Sequence, residues 1–225
     1  TPDCLEFLIQ QNNYLGNSIG MVVGADAISG KISVSRRIEV SALDQTLFEY
    51  LVNSVVVISN VVLEALPQYN NQLFASAIER VTKEYPQSGN DSFAELSAGL
   101  VSPEFQLKLD GNRLGYLYHP ETLLACHPIE GEVVVSATAH TSMDATCLPA
   151  LIGKMMARNL LLEGCRSGGF FLEEDARIGA IALMTPSDNV EDDFGDAAVR
   201  VVADVKHMTA RPSQYVPSTD FDLKV

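Results

Sequence analysis

The amino-acid sequence predicts an α+β fold in which an antiparallel sheet is covered by helices and one small module occurs twice. Along the 225 residues, apolar positions change repeatedly between helical spacing and strand spacing. Short turn signals, such as Asp110-Gly111-Asn112, join successive strands, which is typical of antiparallel pairing. A strand–turn–strand stretch at 20–34 resembles a second stretch at 169–183.

The N-terminal elements are predicted as a helix, two strands and a long helix. Leu5, Leu8 and Ile9 have helical spacing, and the helix is expected to end at Gly16. Two β-rich runs, SIGMVVGAD and KISVSRRIEV, follow on either side of a short turn. A long amphipathic helix then begins at Ser41 or Asp44 and ends before Pro67, with apolar residues three or four apart at Leu47, Leu51, Val55, Ile58, Val62 and Leu66.

The middle of the chain predicts two shorter helices and a linker. LFASAIERVTKEY and SFAELSAGL have helical patterns, and YPQSGNDS between them is rich in turn-forming residues. We expect residues 70–91 to act as a helical linker between the two units of the chain.

From Pro103 the pattern becomes that of strands. Alternating apolar residues predict strands on both sides of the Asp110-Gly111-Asn112 turn, and one or two more across 122–140. A helix over 144–164, the second strand pair at 169–184 and a final helix over 187–208 complete the order.

The two strand–turn–strand stretches can be aligned without a gap. Five of the fifteen positions are then identical: Gly20 with Gly169, Asp26 with Asp175, Ala27 with Ala176, Gly30 with Gly179 and Ile32 with Ile181. In both places a helix precedes the strand pair and a long helix follows it. The sequence therefore predicts an internal duplication.

Composition restricts the classes of function. The chain is 47% hydrophobic, which allows a sizeable core, and its net charge of −14 would repel a nucleic-acid backbone. We expect no membrane span and no signal peptide, and therefore a cytoplasmic protein. The four scattered cysteines have no CxxC spacing, so we expect neither a zinc site nor a disulfide framework.

The order of elements resembles that of the class I type III secretion chaperones, small acidic α/β proteins that hold effector proteins before export. Residues 156–205, with NLLLEG and GGFFLEEDARIGAIAL, resemble the C-terminal half of that family, and residues 92–140 resemble its front half. Residues 5–66 resemble a second copy without its first helix and three strands. Either this chain is part of a longer tandem protein or the missing elements are supplied in another way.

The resemblance implies a division into units and a mode of binding. The units are a partial copy over 1–69, the helical linker at 70–91, a complete copy over 92–212 and a C-terminal tail at 213–225. An extended segment of a secreted effector would add to an edge strand and fill apolar grooves, with a possible homodimer and no cofactor or metal. The apolar positions expected to contact the partner are Phe105, Leu107, Leu109, Phe170, Phe171 and Leu172.

Two other functions compete with this interpretation. The same strand edges could serve self-association in a structural or assembly subunit, for example of a secretion apparatus or a phage particle. A thiol- or threonine-dependent hydrolase would use Cys147 with His140 and Asp144, or Thr1 as an N-terminal nucleophile. Catalytic partners are rarely so close in sequence, and we expect a binding protein with no catalytic residues.

Overall fold

In a computed structural model of the chain, the described residues form five α-helices and two antiparallel sheets. The structure describes residues 2–26, 28–38, 43–84, 107–110, 113–119, 122–129, 132–140, 147–161, 168–173, 175–185, 187 and 189–210. The predicted α+β fold is confirmed.

The N-terminal part contains three helices and a hairpin. Its elements are α1 (Pro2–Ile19), β1 (Val22–Asp26), β2 (Lys31–Ser35), α2 (Gln45–Ala65) and α3 (Asn71–Glu84). Strands β1 and β2 pair only with each other among the described residues and form a two-stranded sheet.

The C-terminal part contains six strands and two helices. Its elements are β3 (Leu107–Asp110), β4 (Arg113–His119), β5 (Thr122–Ile129), β6 (Glu132–His140), α4 (Leu148–Leu161), β7 (Gly169–Leu172), β8 (Arg177–Met184) and α5 (Val190–Thr209). The strands form one antiparallel sheet in the order β3-β4-β5-β6-β8-β7. The last helix, α5, packs on β6 and β8.

Helix α1 is longer than predicted, because Gly16 does not end it. The helix continues to Ile19, and Gly20 ends it with a φ of +66°, a left-handed conformation that glycine adopts easily. A Cβ atom at Gly16 would lie 1.9 Å from Cδ1 of Ile181. Gly16 thus allows close helix–sheet packing, and sequence pattern alone did not separate this role from that of a helix end.

Helix α2 agrees closely with its prediction. The Asp44 side chain accepts a hydrogen bond of 2.7 Å from the backbone N–H of Leu47, which caps the helix. The predicted stripe faces the interior, since Leu51, Ile58 and Val62 are buried. Pro67 lies in the short 3-10 turn Leu66–Gln68 that follows, as expected of a helix-ending residue.

One main hydrophobic core joins elements from both predicted units. It contains Leu8 and Ile58 of the first unit together with Val135 and Val201 of the second. Helix α3, inside the predicted linker 70–91, contributes the buried Phe74. A division at 69 and 92 therefore does not separate two cores, because α1 packs on β7 and α4 packs on β1 across it.

Several predictions fall on residues that the structure does not describe. These are the helix at 92–100, the linker sequence at 85–92, the Gly111-Asn112 turn and the tail at 213–225. On either side of that turn, Asp110 pairs with Arg113, which is the register that a tight two-residue connection requires.

Among the described residues, one helix is long and apolar enough to span a membrane by length and composition. It is Gln45–Gln68, which comprises α2 and the 3-10 turn after it. A core helix of a soluble protein can meet the same criterion, so this property alone does not assign α2 to a membrane. We return below to its exposed side.

Candidate binding site at the edge of strand β2

The triplet expected to contact a partner lies in the interior. Phe170 and Leu172 are part of the main core, and Phe171 packs with Ile129 and Ile181 in a smaller apolar cluster. All three side chains have 2% exposure or less. In this conformation a partner cannot reach them, which agrees with the ordinary structural role of apolar strand residues.

Two of the other three expected positions, Leu107 and Leu109, belong to the opposite end of the sheet. Leu107 and Leu109 lie on β3, the first strand of the six-stranded sheet, where they face Tyr116 and Leu114 of β4 across the ladder. Phe105 is outside the described residues.

The outer edge of β7 is closed at Phe170 by two asparagines from helices. The N–H of Phe170 donates to Oδ1 of Asn159 on α4, at 2.8 Å. The carbonyl oxygen of Phe170 accepts from Nδ2 of Asn159, at 2.9 Å, and from Nδ2 of Asn12 on α1, at 3.2 Å. Both asparagines are completely buried, so these backbone groups are satisfied without a further strand.

Strand β1 is closed in the same way at Val23. Its N–H donates to Oδ1 of Asn12 at 2.6 Å, and its carbonyl oxygen accepts from Nδ2 of Asn12 at 2.8 Å. The same oxygen accepts a longer bond, of 3.4 Å, from Nδ2 of Asn159. Each asparagine therefore bonds the strand that follows its own helix and also reaches the corresponding strand of the other half.

These bonds define a residue-by-residue correspondence between two parts of the chain. Asn12 and Asn159 differ by 147 in number, and so do Val23 and Phe170. The same difference relates the buried faces of α2 and α5: Leu47 with Phe194, Leu51 with Ala198, and Ile58 with Val205. The helix–strand–strand–helix run from α1 to α2 thus matches the run from α4 to α5.

The gapless alignment predicted from sequence differs by two residues from this correspondence along the first strand of each hairpin. It placed Gly20 with Gly169, whereas the asparagine contacts place Val22 with Gly169. Side chains of a strand alternate with a period of two, so a shift of two keeps each apolar residue on the same face. Asp26 accordingly corresponds to Glu173 rather than to Asp175.

The two hairpins differ in what lies at their second strand. Val23 pairs with Val34 in the first hairpin and Phe170 pairs with Ala180 in the second, so β2 corresponds to β8 with a difference of 146. The far edge of β8 pairs with β6 over eight residue pairs. The far edge of β2 has no strand beside it in the described part of the chain.

The direction of the backbone groups on β2 follows from the bonds of Val23. Because Val23 directs its N–H and C=O to the asparagines, it forms a non-hydrogen-bonded pair with Val34. Val34 therefore directs its own N–H and C=O away from β1. Ile32, two residues earlier on the same strand, does the same. In the other half, the corresponding groups of Ala180 and Ile178 face Ala137 and Ala139 of β6.

Both ends of β2 are held in place. After the strand, Arg36 forms a buried ion pair with Glu132 at the start of β6 and donates to the carbonyl oxygen of Ile19 at 2.9 Å. Before it, the Asp26 carboxylate accepts from the Ile28 N–H at 3.0 Å. Hydrogen bonding from the Ser29 side chain, and then from that N–H, lowers the pKa of Asp26 below its usual 3.8.

One face of β2 is covered and the other is partly open. The hydroxyls of Ser33 and Ser35 donate to the carbonyl oxygens of Leu160 and Asn159, at 3.1 and 3.4 Å, so α4 covers that face. On the opposite face Val34 packs against the main core, while Ile32 is 40% exposed. The backbone of β2 is thus held in place, while its outer edge has no strand beside it among the described residues.

The surface also carries an exposed apolar stripe on α2 and a cavity between α1 and α3. The outer side of α2 carries an apolar stripe of side chains that are 46–69% exposed: Phe48, Val52, Val56 and Leu63. Between α1 and α3 lies a cavity of about 450 Å³, with Phe74 and Ile78 among its walls and the amides of Gln11, Asn71 and Gln72 beside them.

Of the residues considered for catalysis, the structure describes His140 and Cys147. His140 lies exposed at the end of β6, and Cys147 is exposed just before α4. Thr1 and Asp144 are outside the described residues. Among the described residues, no group of three or more His, Cys, Asp or Glu could hold a metal ion.

Comparisons of the chain with protein-family models, with curated proteins and with solved structures found no match.

The site at β2 was missed in the sequence because β2 and β8 have similar patterns, and pattern does not tell which edge is paired. Asn12 and Asn159 could have been noticed, since each precedes an apolar strand residue by eleven positions.

Proposed function

We propose that this chain is a chaperone-like binding protein, rather than an enzyme, that holds an extended segment of a secreted effector along β2. One observation carries the proposal. The outward N–H and C=O groups of Ile32 and Val34 have no strand beside them in the described residues, whereas the corresponding edge of β8 pairs with β6. An added strand would use the hydrogen-bonding capacity of this edge.

Charge and the order of elements favour a protein partner. The net charge of −14 opposes binding to nucleic acid, and an acidic surface suits a neutral or basic polypeptide. The resemblance to secretion chaperones, based on element order, suggests an effector held before export, and with it a cytoplasmic location. Binding at β2 replaces the earlier expectation that the buried Phe170–Leu172 triplet contacts the partner.

We also propose that the two matching runs are an internal duplication. The shared asparagine bonds and the matching buried positions of α2 and α5 support it. On this view β6 belongs to the second copy alone, and the effector segment takes the corresponding place in the first.

Binding of unfolded N-terminal segments of secreted proteins tests the function. A fluorescent segment is titrated with the protein and with Val34→Pro, which removes the outward N–H without removing a bond to β1. We expect Val34→Pro to weaken binding at least about tenfold, a change of about 1.4 kcal/mol. The matched control Val52→Ser, on the α2 stripe, should bind like the unaltered protein.

Two results would contradict this function. One is the absence of binding by any segment at micromolar concentration. The other is equal binding by Val34→Pro when circular dichroism and thermal unfolding show that its fold is intact.

The exposed α2 stripe favours a second candidate, a self-assembling structural subunit. A contiguous apolar helix face can associate with another copy of itself. We expect assembly, where it occurs, to be lost when Phe48 and Val52 are both changed to Ser, because these exposed side chains add little to folding. Sedimentation velocity measures this directly, and a monomer at all concentrations would contradict the candidate.

A further inference from the structure

Strand β6 shows which side chains fit beside a β8-type edge. Opposite Ala180 and Ile178 it places Ala137 and Ala139, both buried, and between them lies Thr138. The strand is buried along its first eight residues. Small side chains are therefore the ones that fit under α5 at this point of the sheet.

The buried residues around β2 differ in size from their counterparts around β8, and two of them, Leu47 against Phe194 and Ser54 against Val201, are smaller. Three residues around β2 are larger than their counterparts in the other half: Val34 against Ala180, Tyr50 against Ala197, and Leu51 against Ala198. Helix α2 packs on β2 as α5 packs on β8. Directly opposite Val34 an added strand therefore meets a larger side chain than Ala137 of β6 meets at Ala180, and a small residue fits there best.

The opposite face of an added strand meets polar surroundings. Ser33 and Ser35 lie on that face of β2, and the corresponding part of β6 carries Ser136 and Thr138. Short hydroxyl side chains can pair across strands at such positions.

We infer that β2 selects an antiparallel segment of alternating small residues, Ala, Gly or Ser on the α2 side and Ser or Thr on the α4 side. This inference rests on the proposed function and specifies its ligand. The pattern is that of Ser136, Ala137, Thr138 and Ala139 in β6. Backbone bonds to Ile32 and Val34 provide the affinity, and limited space opposite Val34 excludes segments with large side chains there.

A peptide with the sequence of β6, EVVVSATAH, is the probe for this inference. The complete protein is titrated with the capped peptide and with a variant in which the two alanines corresponding to Ala137 and Ala139 are leucines. We expect the variant to bind at least about tenfold more weakly. A scrambled peptide of the same composition controls for nonspecific binding.

Amide hydrogen exchange locates the peptide on the protein. We expect the peptide to slow exchange at Ile32 and Val34, whose N–H groups point outward, and to leave Ser33 unchanged because it already bonds β1. Val34→Pro should abolish the effect at Ile32. If that variant is unfolded, Ile32→Pro is used, with protection at Val34 as the readout.

The outcomes separate the inference from the function. Equal or tighter binding of the leucine variant overturns the size selection. Slowing of amide exchange at Ser33 by as much as at Ile32 and Val34 also overturns the inference. Slow exchange at Ile32 and Val34 in the free protein overturns it also, since the chain itself would then cover the edge. If secreted-protein segments bind at β2 but EVVVSATAH does not, the inference fails and the proposed function stands; if neither binds, both fail.

Discussion

Two buried asparagines hold together the centre of the molecule. Asn12 satisfies the N–H and the carbonyl of Val23, and Asn159 does so for Phe170, while each also reaches across to the other strand. Leucine has a similar size but no amide, so it would leave these backbone groups buried without their bonds.

We predict that Asn12→Leu lowers the free energy of unfolding by about 1–3 kcal/mol, the cost of a buried Val23 N–H without a partner, while the Val23 carbonyl keeps its longer bond to Asn159. Chemical denaturation measures the change. Asn60→Leu, at an exposed position of α2, is the matched control and should have little effect. A loss at Asn12 no larger than that of the control would show that water replaces the amide.

At the tip of the first hairpin, Asp26 is predicted to titrate below its usual pKa of 3.8, mainly because of the Ser29 side chain. Since folding lowers this pKa, the carboxylate stabilises the hairpin fully above pH 3.8, and the effect is lost as pH falls through the folded value. Carboxyl NMR titration should give a midpoint below 3.8, and Ser29→Ala should raise it. A midpoint at or above 3.8 would contradict the bonding.

At the scale of elements, amphipathic patterns predicted nearly every described helix and strand. Helix α2 and its cap at Asp44 follow from local sequence, because capping and a 3.6-residue period are local properties. The end of α1 does not follow, because Gly16 is explained by Ile181, more than 160 positions away. The open edge of β2 could not be predicted either, since strand pairing depends on distant segments.

The end of β2 is tied to the start of β6 by Arg36 and Glu132, whose side chains are 2% and 6% exposed. We predict that Glu132→Ala lowers the free energy of unfolding by about 3–5 kcal/mol, because Arg36 loses its buried carboxylate partner. Replacing both residues by Met should recover most of that loss. Urea denaturation of the two variants measures the difference.

The exposed pair Lys83–Glu79, at 2.5 Å on α3, is the control for this buried pair. Glu79→Ala should hardly move the urea midpoint, since solvent screens such a pair. Equal effects of Glu79→Ala and Glu132→Ala would mean that the Arg36 pair is not buried in solution.

For the whole molecule, the sequence alignment found a repeated pattern but placed its first strands two residues, and its second strands three residues, from the structural correspondence. Strand periodicity cannot detect a shift of two, whereas Asn12 and Asn159 define it without ambiguity. The predicted division at 69 and 92 followed from the family resemblance and from the linker-like sequence near residue 90. It missed the shared core because packing of α1 on β7 and of α4 on β1 leaves no local signal.

We predict that fragments 1–91 and 92–225 are each unstable alone and become structured when mixed. Each fragment lacks the helix that covers its own hairpin, α4 for β1 and α1 for β7, so Val23 or Phe170 would lose part of its covering. Circular dichroism of the separate and mixed fragments, compared with the intact chain, measures this. A fragment 92–225 with the full stability of the intact chain would contradict a shared core.

The bond between Asn12 and Phe170 also affects how the chain is made. It joins positions 158 apart, so α1 must wait until β7 has been synthesised before it can dock. Contacts so distant in sequence slow folding, because a long loop must close before they form. During synthesis α1 is therefore without β7 and α4, and its buried face stays uncovered until those segments have been made.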